Sequence, residues 1–544
     1  MREIPEGEAH FQSVWRRISR EAKLAFFGTL IAGLLMHLYM LVNKIPNHDD
    51  IIGLFIDNDS TFYGRWFLST ASRPSGIFSI PWVTGLLALI WLSLAAVCVV
   101  RLLRIRRASM ILLTSATMAA FPTVCYTFCY LFTADAYMLA LLLAALGALL
   151  TDRFRFGFLL GGLCIGLSLA TYQAYVFFAV GLMAVRILLT LLFDPDASVK
   201  STLLRIARCG GALALGAVVY RAGLSLSLAI KQVSLKTYMG LNNAGSLSIA
   251  DAIGRIPTAY GKFAECCRGN SDVVSGRTAA LIFCAMLASA LVLAILAAVR
   301  MRGPHKPMRV ALSAVILCAL PLCVNGIWLV SPMGVHALMQ YPVSLVYLLV
   351  IALYDRLSDA EADESPAAAP SGLAALYKAA RTLLGYAIAL LLLANSFLWG
   401  VDANETYLAL ELKFDNMMSL VTRMVDRVEQ LPEYVPNETP VWYTGTLSDA
   451  NYGAVKSEAF ARASATDMTG REWNYTALMN NLYFSAFVNH YIGVAFVMPE
   501  DAEADAVLAT DAYRAMPYYP AAGSVQYIDG IIIINGGPNP QAVP

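Results

Sequence analysis

Residues 24–50, "LAFFGTLIAGLLMHLYMLVNKIPNHDD", run from Leu24 to Asn43 without one acidic or basic side chain apart from His37, and then turn abruptly polar. Twenty residues at about 1.5 Å each match the roughly 30 Å hydrocarbon core of a bilayer, so the first part reads as a membrane-spanning helix. No small-residue cleavage pattern follows it, so it is expected to be retained. The chain continues as "IIGLFIDNDSTFYGRW" to Trp66, which puts four aspartates, His48 and Arg65 into one short polar stretch beside the first span.

The same apolar pattern recurs along the chain. With 58% hydrophobic and 14% charged residues, the composition is that of a polytopic membrane protein. Spans are expected at about 24–43, 78–100, 108–125, 132–150, 156–171, 174–193, 209–229, 277–299, 309–328, 337–354 and 382–400, with "ATYQAY" as the only polar break in 156–193. A formal net charge of +1 argues against a nucleic-acid partner. The ten cysteines fall mostly in apolar spans, without metal-like or redox spacing, and read as packing residues; Cys266 and Cys267 are expected in a loop. The six histidines are scattered, so no metal cluster can be assembled. No cofactor is expected, and a divalent-metal requirement stays open.

Charge bias sets an expected orientation. With Arg16, Arg17, Arg20 and Lys23 in the cytoplasm, alternate segments carry Arg101, Arg104, Arg106 and Arg107, then Arg153 and Arg155, then Lys200, Arg205 and Arg208. Arg300, Arg302, Lys306 and Arg309 follow, then Arg356, Lys378 and Arg381, all on the same side. The opposite turns near 126–131, 172–173 and 329–336 hold no Lys or Arg. The expected fold is therefore an α-helical polytopic protein of about eleven spans, N-in and C-out, over residues 1–400.

Three regions then face outward: residues 44–77, residues 230–276, and everything after 401. The last is expected to be an extracytoplasmic α/β domain, 401–544. It begins with a helix at 403–431, followed by strands in "TPVWYTG", "YIGVAFVM" and "SVQYIDGIIIIN". Residues 355–376 read as a low-complexity linker.

An aspartate at mid-bilayer costs about 2.5–3.5 kcal/mol, which places the Asp49–Asp50 pair outside the hydrocarbon, at the mouth of the bundle. Ile51, Ile52, Phe55 and Ile56, then Phe62, Trp66 and Phe67, suit segments lying along the membrane surface. Carboxylates beside Arg65 and Arg73 suit one chemistry well: an acid accepts a proton from an acceptor hydroxyl while guanidinium groups neutralise a departing phosphate. The plainer alternative is that "NHDD" ends a helix and keeps the loop wet.

"NHDD" after the first span, "YGRW" shortly beyond it, "FPTVCYTFCYLFTADAYMLALLL" at 121–143 and "LATYQAY" at 169–175 together resemble the bacterial glucosyltransferase II family. Those polytopic enzymes are associated with O-antigen glucosylation and resemble the wider GT-C superfamily. The resemblance implies a catalytic acid in the first outer loop, which maps onto Asp49 or Asp50, and a donor-phosphate contact at Arg65. It further implies a polyprenyl-phosphate-linked sugar donor, a hexose such as glucose as the sugar, an extracytoplasmic glycan acceptor and a place in the bacterial cytoplasmic membrane.

Other residues stand between roles. Tyr172, Gln173 and Tyr175 could hold sugar hydroxyls or anchor the interface, and Asp135 and Tyr137 could join the site or cap a helix. Arg221 and His336 could meet lipid phosphate. Arg186 reads as a snorkelling side chain, and Lys231 and Lys236 as headgroup contacts. Two other function classes remain: a transporter or flippase, for which no internal repeat is visible, and a non-catalytic envelope-assembly protein.

Overall fold

In the computed structural model the described residues are 15–55, 59–76, 78–236, 249–303, 305–331, 334–362, 372–447, 458 and 478–538. The chain opens with α1 (Arg20–Val42), whose N-cap Ser19 accepts from the Ala22 amide, and the short α2 (His48–Ile52). Helices α3 (Pro81–Leu103), α4 (Ala108–Ala120) and α5 (Pro122–Cys129) follow. The α4–α5 break falls at Pro122, which lacks the amide a continuous helix would need. Next come α6 (Ala134–Arg153), α7 (Gly157–Thr171), α8 (Val176–Phe193) and α9 (Val199–Lys231). Beyond them lie α10 (Ile256–Arg268), α11 (Gly276–Arg300), α12 (Lys306–Val324), α13 (Leu345–Ala362) and α14 (Gly372–Glu429). A two-stranded hairpin, β1 (Asn270–Ser271) and β2 (Val274–Ser275), links α10 to α11.

Among the described residues, ten helical stretches are long and apolar enough to cross a bilayer, consistent with a multi-pass membrane protein. The remaining expected span is α7, a shorter apolar helix of 15 residues. It rises about 22 Å, less than the bilayer core, so polar groups meet its C-terminal end within the bundle. There the Phe67 amide donates to the Ala170 carbonyl at 3.0 Å. Small residues let α7 seat closely on α9: a Cβ added at Gly162 would lie 2.9 Å from the Ala212 carbonyl, and one at Gly166 would lie 2.9 Å from that of Gly216.

Two expectations change at α13 and α14. The sequence 355–376 is not a linker throughout, because α13 runs to Ala362 and α14 starts at Gly372; residues 363–371 lie outside the described residues. Asp355 is buried, accepting from the amides of Arg106 at 2.8 Å and Arg107 at 3.0 Å. The expected span 382–400 and the expected helix 403–431 are one helix of 58 residues, about 87 Å long. No Gly or Pro between them breaks the helical hydrogen bonding strongly enough, so helical propensity carries the last span straight out of the bundle.

Beyond α14, β3 (Val441–Thr444), β4 (Val525–Ile528) and β5 (Ile531–Asn535) form a sheet of order β3-β5-β4, parallel on one side of β5 and antiparallel on the other. Period-2 alternation puts Ile532 and Ile534 against Leu420, Val421, Met424 and Val428 of α14, and Ile531 and Ile533 against Val507 and Met516. The stretch "YIGVAFVM" is not a strand; only Val497 makes an isolated bridge, to Pro440. Cys266 and Cys267 stand in α10, not in a loop.

Candidate active site

The acid-rich segment folds into a tight turn because Asn47 and Asp50 cap each other. The Asp50 amide donates to Asn47 Oδ1 at 2.9 Å and the Asn47 amide faces Asp50 Oδ2 at 3.4 Å, a capping box that starts α2. Asp50 is fully buried. Its Oδ1 accepts from the Phe132 amide at 3.1 Å and lies 4.0 Å from Lys44 Nζ. Burial pushes the Asp50 carboxyl up to about 6, against the pull of Lys44 and of the Phe132 and Asn47 amides. Lys44, held by Ser79 Oγ at 2.8 Å, is in turn lowered by its own burial. Asn47 Nδ2 donates to the Cys129 carbonyl, so the turn is tied twice to the α5–α6 connection.

Asp49 is half-buried and lies near Tyr483 of α15 (Asn481–Phe487). Burial first, and then the Asp49 charge, raises the Tyr483 phenol above its ordinary value. The C-terminal segment closes over the turn: His490 Nδ1–H donates to the Ile51 carbonyl at 2.8 Å, and Ile51 is buried in the core that α14 shares with the sheet. Tyr491 lies near Asp50, its phenol raised by burial and by that charge. Ile51 is therefore not a membrane-surface residue, whereas Ile52 and Phe55 are exposed; Ile56 lies outside the described residues.

Arg65 meets the same connection from the other side. Its Nη1 donates to Tyr137 OH at 3.1 Å, and its guanidinium sits 5.1 Å from the Tyr172 ring centre. Tyr137 and Tyr172 stack at 4.3 Å and 25°. Tyr172 is thus a buried wall of the site and not an interfacial anchor. Gln173 Nε2 donates to the Tyr63 carbonyl at 3.1 Å, which holds the "YGRW" turn, and Gly64 there takes φ +80° with Tyr220 and Gln173 packed against it. Tyr175 is fully buried behind Tyr172. Asp135, also buried, accepts from the Ala136 amide at 2.8 Å and lies beside Ser75; its Oδ2 has no hydrogen-bond partner among the described residues.

Other candidates lie elsewhere. Arg73 is exposed, and the described residues give it no contact with Arg65 or the acids. Arg221 is exposed on α9 beside Tyr220, which Arg65 also neighbours, and among the described residues it forms no ion pair with the acids. His336 is exposed and near Asp272, which Gln340 Nε2 holds at 3.0 Å, so it faces the β1–β2 hairpin. Sequence proximity to the first loop or to a helix start nominated these three. Lys231 and Lys236 are not simple headgroup contacts. Lys231 Nζ pairs with Asp59 at 2.7 Å and donates to Thr61 at 3.0 Å, and the Lys236 amide donates to the Phe62 carbonyl at 2.9 Å. Residues 230–236 thereby clamp the loop; 237–248 lie outside the described residues. Arg186 does not snorkel, because it pairs with Asp152 at 3.0 Å. Lys44, Tyr483 and Tyr491 were missed; Lys44 alone carried a signal, as a cation between a span and two acids.

Among the described residues no three His, Cys, Asp or Glu converge as metal ligands. The arrangement offers a half-buried carboxylate, a buried carboxylate and a guanidinium on an aromatic wall, all referred to residues 129–137.

The family model described as Glucosyl transferase GtrII matches residues 38–353, more than half of the 544-residue chain. The match includes every helix from α2 to α12 and both motifs of this site. No curated protein and no solved structure matches the chain. The chain belongs to the GtrII glucosyltransferase family, which supports glycosyl transfer as its activity.

Proposed function

We propose that this member of the GtrII family moves a glucosyl group from a polyprenyl-phosphate carrier to a hydroxyl of an extracytoplasmic glycan, with Asp49 as the base. The acceptor oxygen attacks the anomeric carbon, its proton passes to Asp49, and the bond to the carrier phosphate breaks with its electron pair going to the leaving phosphate. Arg65, oriented by Tyr137 and Tyr172, neutralises that phosphate. Asp50 is a positioning residue: its oxygens are committed to the Asn47 and Phe132 amides and it sets the pose of α2. Asp135 and Gln173 are the groups assigned to hold sugar hydroxyls in this reading.

The observation that carries this reading is that α2 and Arg65 are both fastened to the residue 129–137 connection, one through Cys129 and Phe132 and the other through Tyr137. A fixed acid–guanidinium frame is what transfer from a lipid phosphate needs, since positioning supplies much of the rate. The test is transfer from polyprenyl-phosphate glucose to isolated glycan by membranes carrying wild-type or Asp49→Asn protein. A general base contributes about 10²–10⁴-fold, so a loss of that size is expected at unchanged protein level in the membrane. A near-wild-type rate in Asp49→Asn overturns the assignment.

A further inference from the structure

The end of the bundle away from the acids holds a second site. About 26 Å along α6 from Asp135, seventeen residues on, a small cleft with a cavity of about 20 Å³ lies between α3, α6, α8 and α9. Asp152 is the only acid on its wall, and Arg186, Arg205 and Arg208 are its cations. Asp152 Oδ2 takes Arg186 Nε at 3.0 Å and Oδ1 takes Arg205 Nη1 at 2.5 Å. Arg208 Nη2 donates to the carbonyls of Thr151, at 2.7 Å, and Phe154, which closes the C-terminal end of α6. Its Nε is buried with no hydrogen-bond partner among the described residues.

Three guanidinium groups against one carboxylate leave two positive charges in surplus. Arg186 is only 5% exposed, and its Nη groups make no hydrogen bond among the described residues. Arg205 and Arg208 are half-exposed, so this surplus is open to an anion arriving from the leaflet. Helix capping accounts for part of Arg208, but not for Arg186 and Arg205 sharing one acid. Next to these cations on α9, Leu203, Leu204 and Ile206 are strongly exposed, as residues facing lipid chains are.

We propose that Arg205 and Arg208, at the open rim of this cleft, bind the phosphate of an anionic lipid from the leaflet at that end of the protein, with the acyl chains against the exposed face of α9. Paired guanidinium donors suit a phosphate, and a basic pocket between membrane helices is a setting in which lipid head groups are held. The site is separate from the transfer chemistry and does not depend on it.

The test uses full-length protein in an uncharged detergent, with thermal unfolding and native mass spectrometry as readouts. The probes are phosphatidylglycerol, phosphatidylcholine and inorganic phosphate. Phosphatidylglycerol is expected to stay bound and raise the unfolding midpoint, while the other two do not. Arg205→Gln should bind phosphatidylglycerol about ten-fold more weakly. Asp152→Asn, which releases two guanidinium groups, should bind it more tightly, a change of sign that structural damage alone does not produce. Equal effects of phosphatidylglycerol and phosphatidylcholine, unchanged binding in Arg205→Gln, weaker binding in Asp152→Asn, or an equal effect of inorganic phosphate would each overturn the proposal.

Discussion

Asp49 and Asp50 are neighbours in sequence with opposite surroundings, and the difference decides what each can do. Asp50 is enclosed, and its carboxyl is pushed up from 3.8 to about 6, chiefly by burial. The folded protein therefore holds that proton more tightly than the unfolded chain does. Its contribution to stability is greatest below about pH 4 and is lost as pH rises towards 6. A shift of about two units corresponds to roughly 3 kcal/mol across that window. In detergent, the unfolding midpoint of Asp50→Asn should vary less between pH 4 and pH 6 than that of the wild type. A wild-type midpoint that climbs with pH over this interval would show that Asp50 is not enclosed as described. Both acids were visible in the sequence as candidates because two carboxylates directly after a span are costly to place anywhere but at a polar mouth. Their division of labour was not visible, because it depends on Phe132 and Lys44 on one side and Tyr483 on the other.

At the scale of elements, α14 is the piece that joins the membrane bundle to the C-terminal sheet. It is locked to the bundle through His37, which is fully buried in α1. His37 Nε2–H donates to the Ala119 carbonyl at 3.0 Å, which leaves Nδ1 to accept from Tyr407 OH at 2.8 Å. One imidazole thus ties α1, α4 and α14 together. Tyr407→Phe keeps the ring and leaves Nδ1 without its donor, at a cost of about 1–3 kcal/mol, read as a lower unfolding midpoint. An unchanged midpoint would mean that the link contributes nothing to stability. Helical periodicity announced both halves of α14, since apolar residues recur at helical spacing on each side of residue 401. Their continuity was not announced, because a change from lipid-facing to partly polar composition looks like a boundary even where no residue breaks the helix. In the C-terminal part, "SVQYIDGIIIIN" carried a readable strand pattern. "YIGVAFVM" looked similar but bends away after Gly493, whose φ is +81°.

For the molecule as a whole, the two ends differ in chemistry. At one end lie the acid turn, the Arg65–Tyr137–Tyr172 stack, residues 230–236 and α15. At the other, arginines cap helix ends and pair with acids: Arg309 Nε donates to the Leu191 carbonyl at 2.8 Å, Arg107 Nε lies 3.7 Å from Asp359, and Asp152 takes Arg186 and Arg205. The positive-inside rule assigns the arginine-rich end to the cytoplasm, so a reporter active only outside the cytoplasm should work when fused after residue 538, and one fused within 363–371 should not. The reverse pattern would turn the molecule over and remove the extracytoplasmic acceptor from the proposed reaction.

The sequence alone determined that this chain carries many segments long and apolar enough to cross a membrane, roughly where they lie, and that its first polar loop concentrates acid. Each of these follows from local hydrophobic length and from the cost of charge in lipid, which act on consecutive residues. Only the tertiary structure decided that Lys44 stands with Asp50, that Arg65 stands with Tyr137 and Tyr172, and that residues 481–493 roof the turn. Most of those contacts join positions tens to hundreds of residues apart, and they are set by how helices of unequal length pack against one another, which no local pattern records.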